Sequence, residues 1–271
     1  MKSLKEVELL LLSNFLTLRP ILISNPSSEY RRAFGLLATT FCFGMKKLLV
    51  FALVGLALWA CNPSRNDPQS AGYEYFPLEK GAFIVYDVTA TQYAIAQDSV
   101  VSRYQIKEVV ADSFPALGGQ TAFRIERFRR NTEAQAWTID SVWTARRTLD
   151  KAIRTENNIT YVKLAFPTYL DQRWNGNQLN GRDAKEYRVA KINEALTVGT
   201  NNFPETVTVL QESKSTEIDF LNRQETYAKG IGLIRREQTE LYYCQSANCF
   251  GQKKIEFGTR FIQQISSYGK E

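Results

Sequence analysis

From Gly81 onward, apolar and polar residues alternate along most of the chain. Gly81–Val88 is β-branched and aromatic, led in by Phe76-Pro77-Leu78. Val100–Val110 carries Tyr104, Ile106, Val109 and Val110. In Thr121–Arg130, Phe123 and Ile125 alternate with charge, and a bulge is expected to bring Phe128 into phase. Ala136–Arg146 sets Trp137, Ile139 and Trp143 against Thr138, Asp140 and Thr144. Ile159–Phe166 aligns Val162, Leu164 and Phe166. Tyr187–Ile192, Thr206–Leu210, Gly232–Tyr243 and Lys254–Ile265 complete the set. A period of two in β-branched and aromatic residues predicts strands. Gly118-Gly119, Asn157-Asn158, Asn175-Gly176, Asn180-Gly181, Gly199–Asn202 and Gly251 mark turns. Asp150–Thr155 and Ile192–Leu196 are short helical candidates. Eight to ten strands at meander spacing predict an all-β fold with minor α. The expected architecture is one curved antiparallel sheet or half-open barrel over residues 73–271. Each strand has one wet and one buried face, so the sheet must curl or be covered.

The long apolar run lies earlier. Met45-Lys46-Lys47 is followed by Leu48–Ala60, thirteen residues without charge or proline. As a helix this rises about 20 Å, short of the roughly 30 Å hydrocarbon core. A basic start, a short apolar stretch and a small residue at its end predict a signal-peptide helix over residues 45–60. Leu58-Trp59-Ala60-Cys61 resembles the lipobox of bacterial lipoproteins, with Trp59 bulkier than usual at its position. The resemblance implies cleavage before Cys61 and attachment of diacylglycerol and an acyl chain there. Residues 1–44 would then be a doubtful N-terminal extension, with Met45 the expected start. Residues 62–72 are polar with two prolines, so 61–72 is expected to be a lipidated cysteine and a tether.

Charge reads differently once this leader is set aside. The whole chain carries +6, but residues 1–60 hold seven basic and three acidic residues. Residues 61–271 hold 27 basic and 25 acidic residues. Such a balance gives no reason to expect a nucleic acid partner. The chain has no histidine, which removes the usual neutral-pH general base and the commonest metal ligand. No catalytic motif, metal site or cofactor is expected. Of four cysteines, Cys42 lies in the extension and Cys61 is the lipid site. Cys244 and Cys249 remain, and in an oxidising compartment they are expected to pair. Closing so small a loop contributes about 2 kcal/mol in the chain-entropy account.

Three further stretches carry a second resemblance. They are Tyr75-Phe76-Pro77-Leu78-Glu79-Lys80-Gly81 leading into Val85-Tyr86-Asp87, Arg173-Trp174-Asn175-Gly176-Asn177, and Tyr227-Ala228-Lys229-Gly230-Ile231-Gly232-Leu233. Together they resemble a family of Bacteroidetes-type envelope lipoproteins that opens on a YFPLxxG strand and later carries a YAKG-type turn. The resemblance implies an envelope β-protein and supplies no catalytic residues. It also implies an outer-membrane lipid anchor. The acid-rich export signal found after the lipidated cysteine in this type of bacterium is missing from Asn62–Ser70, which favours the periplasmic side.

The expected role is a non-catalytic binding or scaffold module. Its partners would be the membrane through the lipid, an apolar or glycolipid ligand, or another envelope protein. Phe123, Trp137 and Trp143 are candidate linings for an apolar ligand. A carboxylate-based hydrolase of envelope polysaccharide and an accessory lipoprotein of an outer-membrane complex are the alternatives. Asp171, Asn175, Asn177 and Asn180 read as a turn-dense loop rather than a calcium site, since one carboxylate is too few. Arg124, Arg127, Arg129 and Arg130 read as a solvated face. Asp98-Ser99 and Asp140-Ser141 resemble a short O-glycosylation motif of Bacteroidetes envelope proteins.

Overall fold

The computed structural model describes residues 71–271. The signal peptide, the lipobox residues Leu58, Trp59 and Ala60, and Cys42 and Cys61 lie outside the described residues.

Twelve strands make one antiparallel sheet: β1 Ala82–Tyr93, β2 Val100–Pro115, β3 Thr121–Arg130, β4 Thr138–Arg147, β5 Lys151–Glu156, β6 Ile159–Ala165, β7 Arg173–Asn175, β8 Glu186–Val198, β9 Asn201–Ser215, β10 Asp219–Ala228, β11 Gly232–Tyr243 and β12 Ile255–Lys270. The spatial order is β6-β5-β4-β3-β2-β1-β12-β11-β10-β9-β8-β7. Every neighbour is therefore the next strand in sequence, except that β1 pairs with β12. The sheet is nearly closed into a barrel, as the alternation required.

Its two edges, β6 and β7, meet through a seam rather than a full ladder. The Val162 N–H donates to the Gly176 carbonyl at 2.9 Å. The Trp174 indole N–H donates to the Val162 carbonyl at 2.9 Å, and the Asn180 amide donates to the Thr160 carbonyl at 2.8 Å. Gly176 is required here by space: a Cβ would lie 2.4 Å from the ring of the buried Tyr187.

Three expectations are corrected. The helical candidates are strand instead: Asp150–Thr155 is β5 from Lys151 on, and Ile192–Leu196 falls within β8. Among the described residues the helical pieces are two 3-10 turns, Tyr73–Tyr75 and Leu117–Gly119. The bulge expected in β3 sits on its partner: Arg127 pairs with Ser141 and Phe128 with Ile139, so Asp140 is skipped. That extra residue separates Ile139, which is exposed, from Trp143, which is buried. The two do not share a face.

Candidate functional site

Alternate strands reverse direction, so one rim of the barrel gathers the N-terminal segment 73–81 and the turns after β2, β4, β6, β8 and β10. Two of the sequence motifs meet on this rim. The Gly230 N–H donates to the Glu74 carbonyl at 2.8 Å. Phe76 packs on Tyr227 with ring centroids 6.3 Å apart. Gly232 has φ +103, a conformation that side chains disfavour, and it lies beside the Pro77 ring. Lys229 Nζ lies 2.7 Å from Glu205.

Between the two motifs lies a cavity of about 130 Å³. Leu78, Phe83, Ile84, Ile231, Leu233 and Tyr268 give it apolar walls. Leu78 and Ile231 are half-buried, so the cavity opens on the rim. Tyr86, Glu108, Arg154 and Tyr227 reach it from the barrel interior.

That interior holds a connected set of charges. Arg154 Nη2 donates to Glu108 at 2.6 Å and Arg127 Nε donates to Glu108 at 3.0 Å. Arg127 continues to Asp140 at 3.1 Å. Lys163 Nζ lies 3.0 Å from Glu156 and 2.8 Å from Glu225. Arg236 binds both carboxylates, each at 2.8 Å. The Tyr227 hydroxyl donates to Glu225 at 2.6 Å, and the Tyr86 hydroxyl to the Leu233 carbonyl at 2.9 Å. Trp143 lies between two guanidiniums, Arg127 at 3.7 Å and Arg154 at 4.8 Å from its ring centre. Both contacts are cation–π.

Burial opposes ionisation of these carboxyls, and the neighbouring cations override it. Arg154 and Arg127 hold Glu108 below the usual range. Arg236 and Lys163 do the same for Glu156, and Lys163 and Arg236 for Glu225. Burial and Glu225 push the Tyr227 hydroxyl well up. A carboxyl with a folded pKa below its unfolded value stabilises the fold above about pH 4.5 and loses that contribution as pH falls through the folded value. Urea midpoints measured across pH should therefore be level from about pH 5 to 8 and drop below about pH 4. A midpoint unchanged down to pH 3 would contradict the depressed carboxyls.

The sequence candidates fall in different places. Phe123 and Trp143 face the interior from β3 and β4, where Ile125 lies opposite Trp143 and Phe123 opposite Ala145. Trp137 precedes β4, half-buried beneath the Arg130 guanidinium at 4.3 Å. All three stand off the cavity wall. The four arginines split between faces: Arg127 turns inward, Arg129 stacks on Tyr104 at 3.8 Å and Arg124 pairs with Glu126 at 3.2 Å. Asp171 pairs with Arg188 at 2.6 Å, while the Asn175 side-chain oxygen accepts the N–H groups of Asn177 and Lys185. Cys244 and Cys249 form a disulfide with Cα atoms 5.9 Å apart. Asp98-Ser99 lies in the exposed β1–β2 turn, whereas Arg127 donates to Ser141 at 3.2 Å.

No protein-family model matches the chain, and no curated protein is similar to it in sequence. Among solved structures it is similar to a candidate exported protein of Bacteroides fragilis with a YmcC-like fold, at 12% identity and TM-score 0.37. It is also similar to a candidate lipoprotein of Parabacteroides distasonis, at 14% identity and TM-score 0.34. Each match covers 71% of this chain and 98% of the other. These likenesses carry no ligand and no activity across to this chain.

Sequence reasoning missed the charge network. Its signal was there in part: Glu108 shares parity with Ile106, and Arg127 with Phe123 and Ile125, so each interrupts an apolar stripe with a charge.

Proposed function

We propose that this protein is a lipid-anchored, non-catalytic binding module of the bacterial cell envelope. In this reading Cys61 carries the lipid, on the periplasmic side of the outer membrane, and the rim cavity takes an apolar group. The cavity is the observation that carries the binding role. Its walls are mainly apolar, with Glu108 and Arg154 at its inner end, and it is bounded by two of the three stretches that carry the family resemblance. Its volume is close to the ~150 Å³ of an engineered apolar cavity that takes up benzene. One aromatic ring or a short chain segment is the size it admits.

The hydrolase reading fits less well. A glycosidase acid needs a carboxyl whose pKa is raised, so that it holds a proton near neutrality. Glu108, Glu156 and Glu225 are shifted the other way. Each is committed to at least two cations.

Saturation-transfer NMR with benzene tests the binding role. Transfer is expected from the wild-type chain and is expected to vanish in Ile231→Trp, which fills the mouth from a half-buried turn position. Equal transfer from both proteins would place benzene elsewhere and remove the cavity from the argument.

A further inference from the structure

Resting on the lipid-anchor reading, we propose that the rim bearing the cavity lies against the bilayer that holds the Cys61 lipid. The loops after β4 and β6 would be its contact surface, and the cavity would open toward lipid.

The first argument is reach. Ala71 is fixed on this rim: its carbonyl accepts the Thr168 N–H at 3.0 Å. Next to it, the Tyr73 hydroxyl donates to the Leu149 carbonyl at 2.7 Å and the Tyr73 ring meets Phe166 edge-on at 4.7 Å. Ten peptide steps separate Cys61 from Ala71. Fully extended, they span at most about 35 Å. Strands β2 and β12 have 16 residues each. They run about 50 Å and rise about 40 Å along the axis at a usual barrel tilt. Standing the molecule on its far rim at β1–β2 and the disulfide loop would lift Ala71 beyond the reach of its own lipid. The exposed Ile95, Val100 and Phe250 of that far rim are thereby excluded from the membrane.

The second argument is the surface around the attachment point. Leu149 is 87% exposed, Tyr169 57% and Leu170 54%. They sit on the β4–β5 turn and the β6–β7 loop, the two loops that residues 71–73 tie together. Apolar side chains at this depth gain by entering the boundary between headgroups and acyl chains, and a tyrosine suits that level with its polar tip outward. The lipid keeps the surface in contact, so even weak insertion is held by proximity. The half-exposed Tyr268, on the cavity wall, lies on the same rim.

The test uses the full chain, acylated in cells and reconstituted into phosphatidylethanolamine–phosphatidylglycerol vesicles. Palmitate labelling and flotation of wild type against Cys61→Ala report the anchor. An environment-sensitive dye on Leu149→Cys, and separately on Ile95→Cys, reports the orientation. Both positions are exposed, so the fold tolerates the change. The dye at 149 is expected to be quenched by doxyl groups in the acyl region and shielded several-fold from aqueous iodide. The dye at 95 is expected to show the reverse. Flotation with a water-exposed dye at 149 would overturn the docking alone. Loss of both label and flotation in the wild type would overturn the anchor, and the docking with it.

Discussion

Glu225→Gln is expected to lower the free energy of unfolding by about 3–5 kcal/mol. Glu225 is 1% exposed and receives Lys163, Arg236 and the Tyr227 hydroxyl, all within 2.8 Å. The amide keeps the shape of the side chain and removes its charge. Lys163 and Arg236 then share Glu156 alone, in a setting where an uncompensated cation is costly. Burying a charge is expensive, and losing its partner is worse than never having buried the pair. Lys163→Met added to Glu225→Gln should therefore recover part of the loss. Glu205→Gln is the contrast: its pair with Lys229 is nearly half exposed on both sides, and its removal should change stability by about 0–1 kcal/mol. Urea unfolding followed by tryptophan fluorescence gives all three values. Equal small losses for Glu225→Gln and Glu205→Gln would mean that the interior network is solvated.

Gly176→Ala is expected to cost about 3 kcal/mol, toward the upper end for overpacking. Its φ is not positive, so the backbone itself accepts alanine. The obstacle is the Tyr187 ring, three of whose atoms would stand 2.4–2.6 Å from the new methyl. That ring is buried and packs edge-on against Trp174 at 6.1 Å, and Trp174 in turn holds the β6–β7 seam. Relief of the clash must move the seam, so hydrogen exchange at the Val162 N–H should speed up more than exchange in β1 or β12. Tyr187→Leu in the same chain should relieve the clash while losing the ring packing. Gly181→Ala serves as the control, since no atom lies within 4 Å of its Cβ and its φ is not positive. It should be neutral, or stabilising by about 0.4–1 kcal/mol. A Gly176→Ala loss no larger than that of the control would refute the steric account.

Strands whose inward stripe is mostly apolar were legible, and a single inward arginine, Arg127 in β3 and Arg236 in β11, does not hide them. β3 and β11 lie where the alternation puts them, at Thr121–Arg130 and Gly232–Tyr243. β5 and β10 were not legible, and the reason is the network. The inward positions of β5 include Arg154 and Glu156, and those of β10 include Glu225, so the apolar periodicity that marks a half-buried strand is broken by charge. β7, with three residues, is too short to show a period at all. β8 has three register shifts against β9 and a positive φ at Asn193, which spoils its alternation. The site was legible in pieces. The motif residues 75–81 and 227–233 stood out in the sequence, but their meeting depends on β10–β11 returning to the rim that holds the segment leading into β1. Tertiary topology decides that, and no local pattern carries it. The aromatic candidates failed to mark the cavity because tryptophan has uses beside ligand contact. Trp143 is held between two guanidiniums, and Trp137 lies under a third.

The pairing of β1 with β12 sets Ala82 opposite Lys270, so the first strand of the barrel waits for the last. Until the sixteen residues of β12 have left the ribosome, β1 has β2 on one side and a bare edge on the other. Local hairpins form early, but a closure that joins the first and last strands of the sheet comes late and slowly. If the chain is exported as an extended strand, as the proposed lipid anchor requires, this order is an advantage. The stable barrel could then not form before export while β12 is still being made, and folding would wait for the compartment where the disulfide can also close.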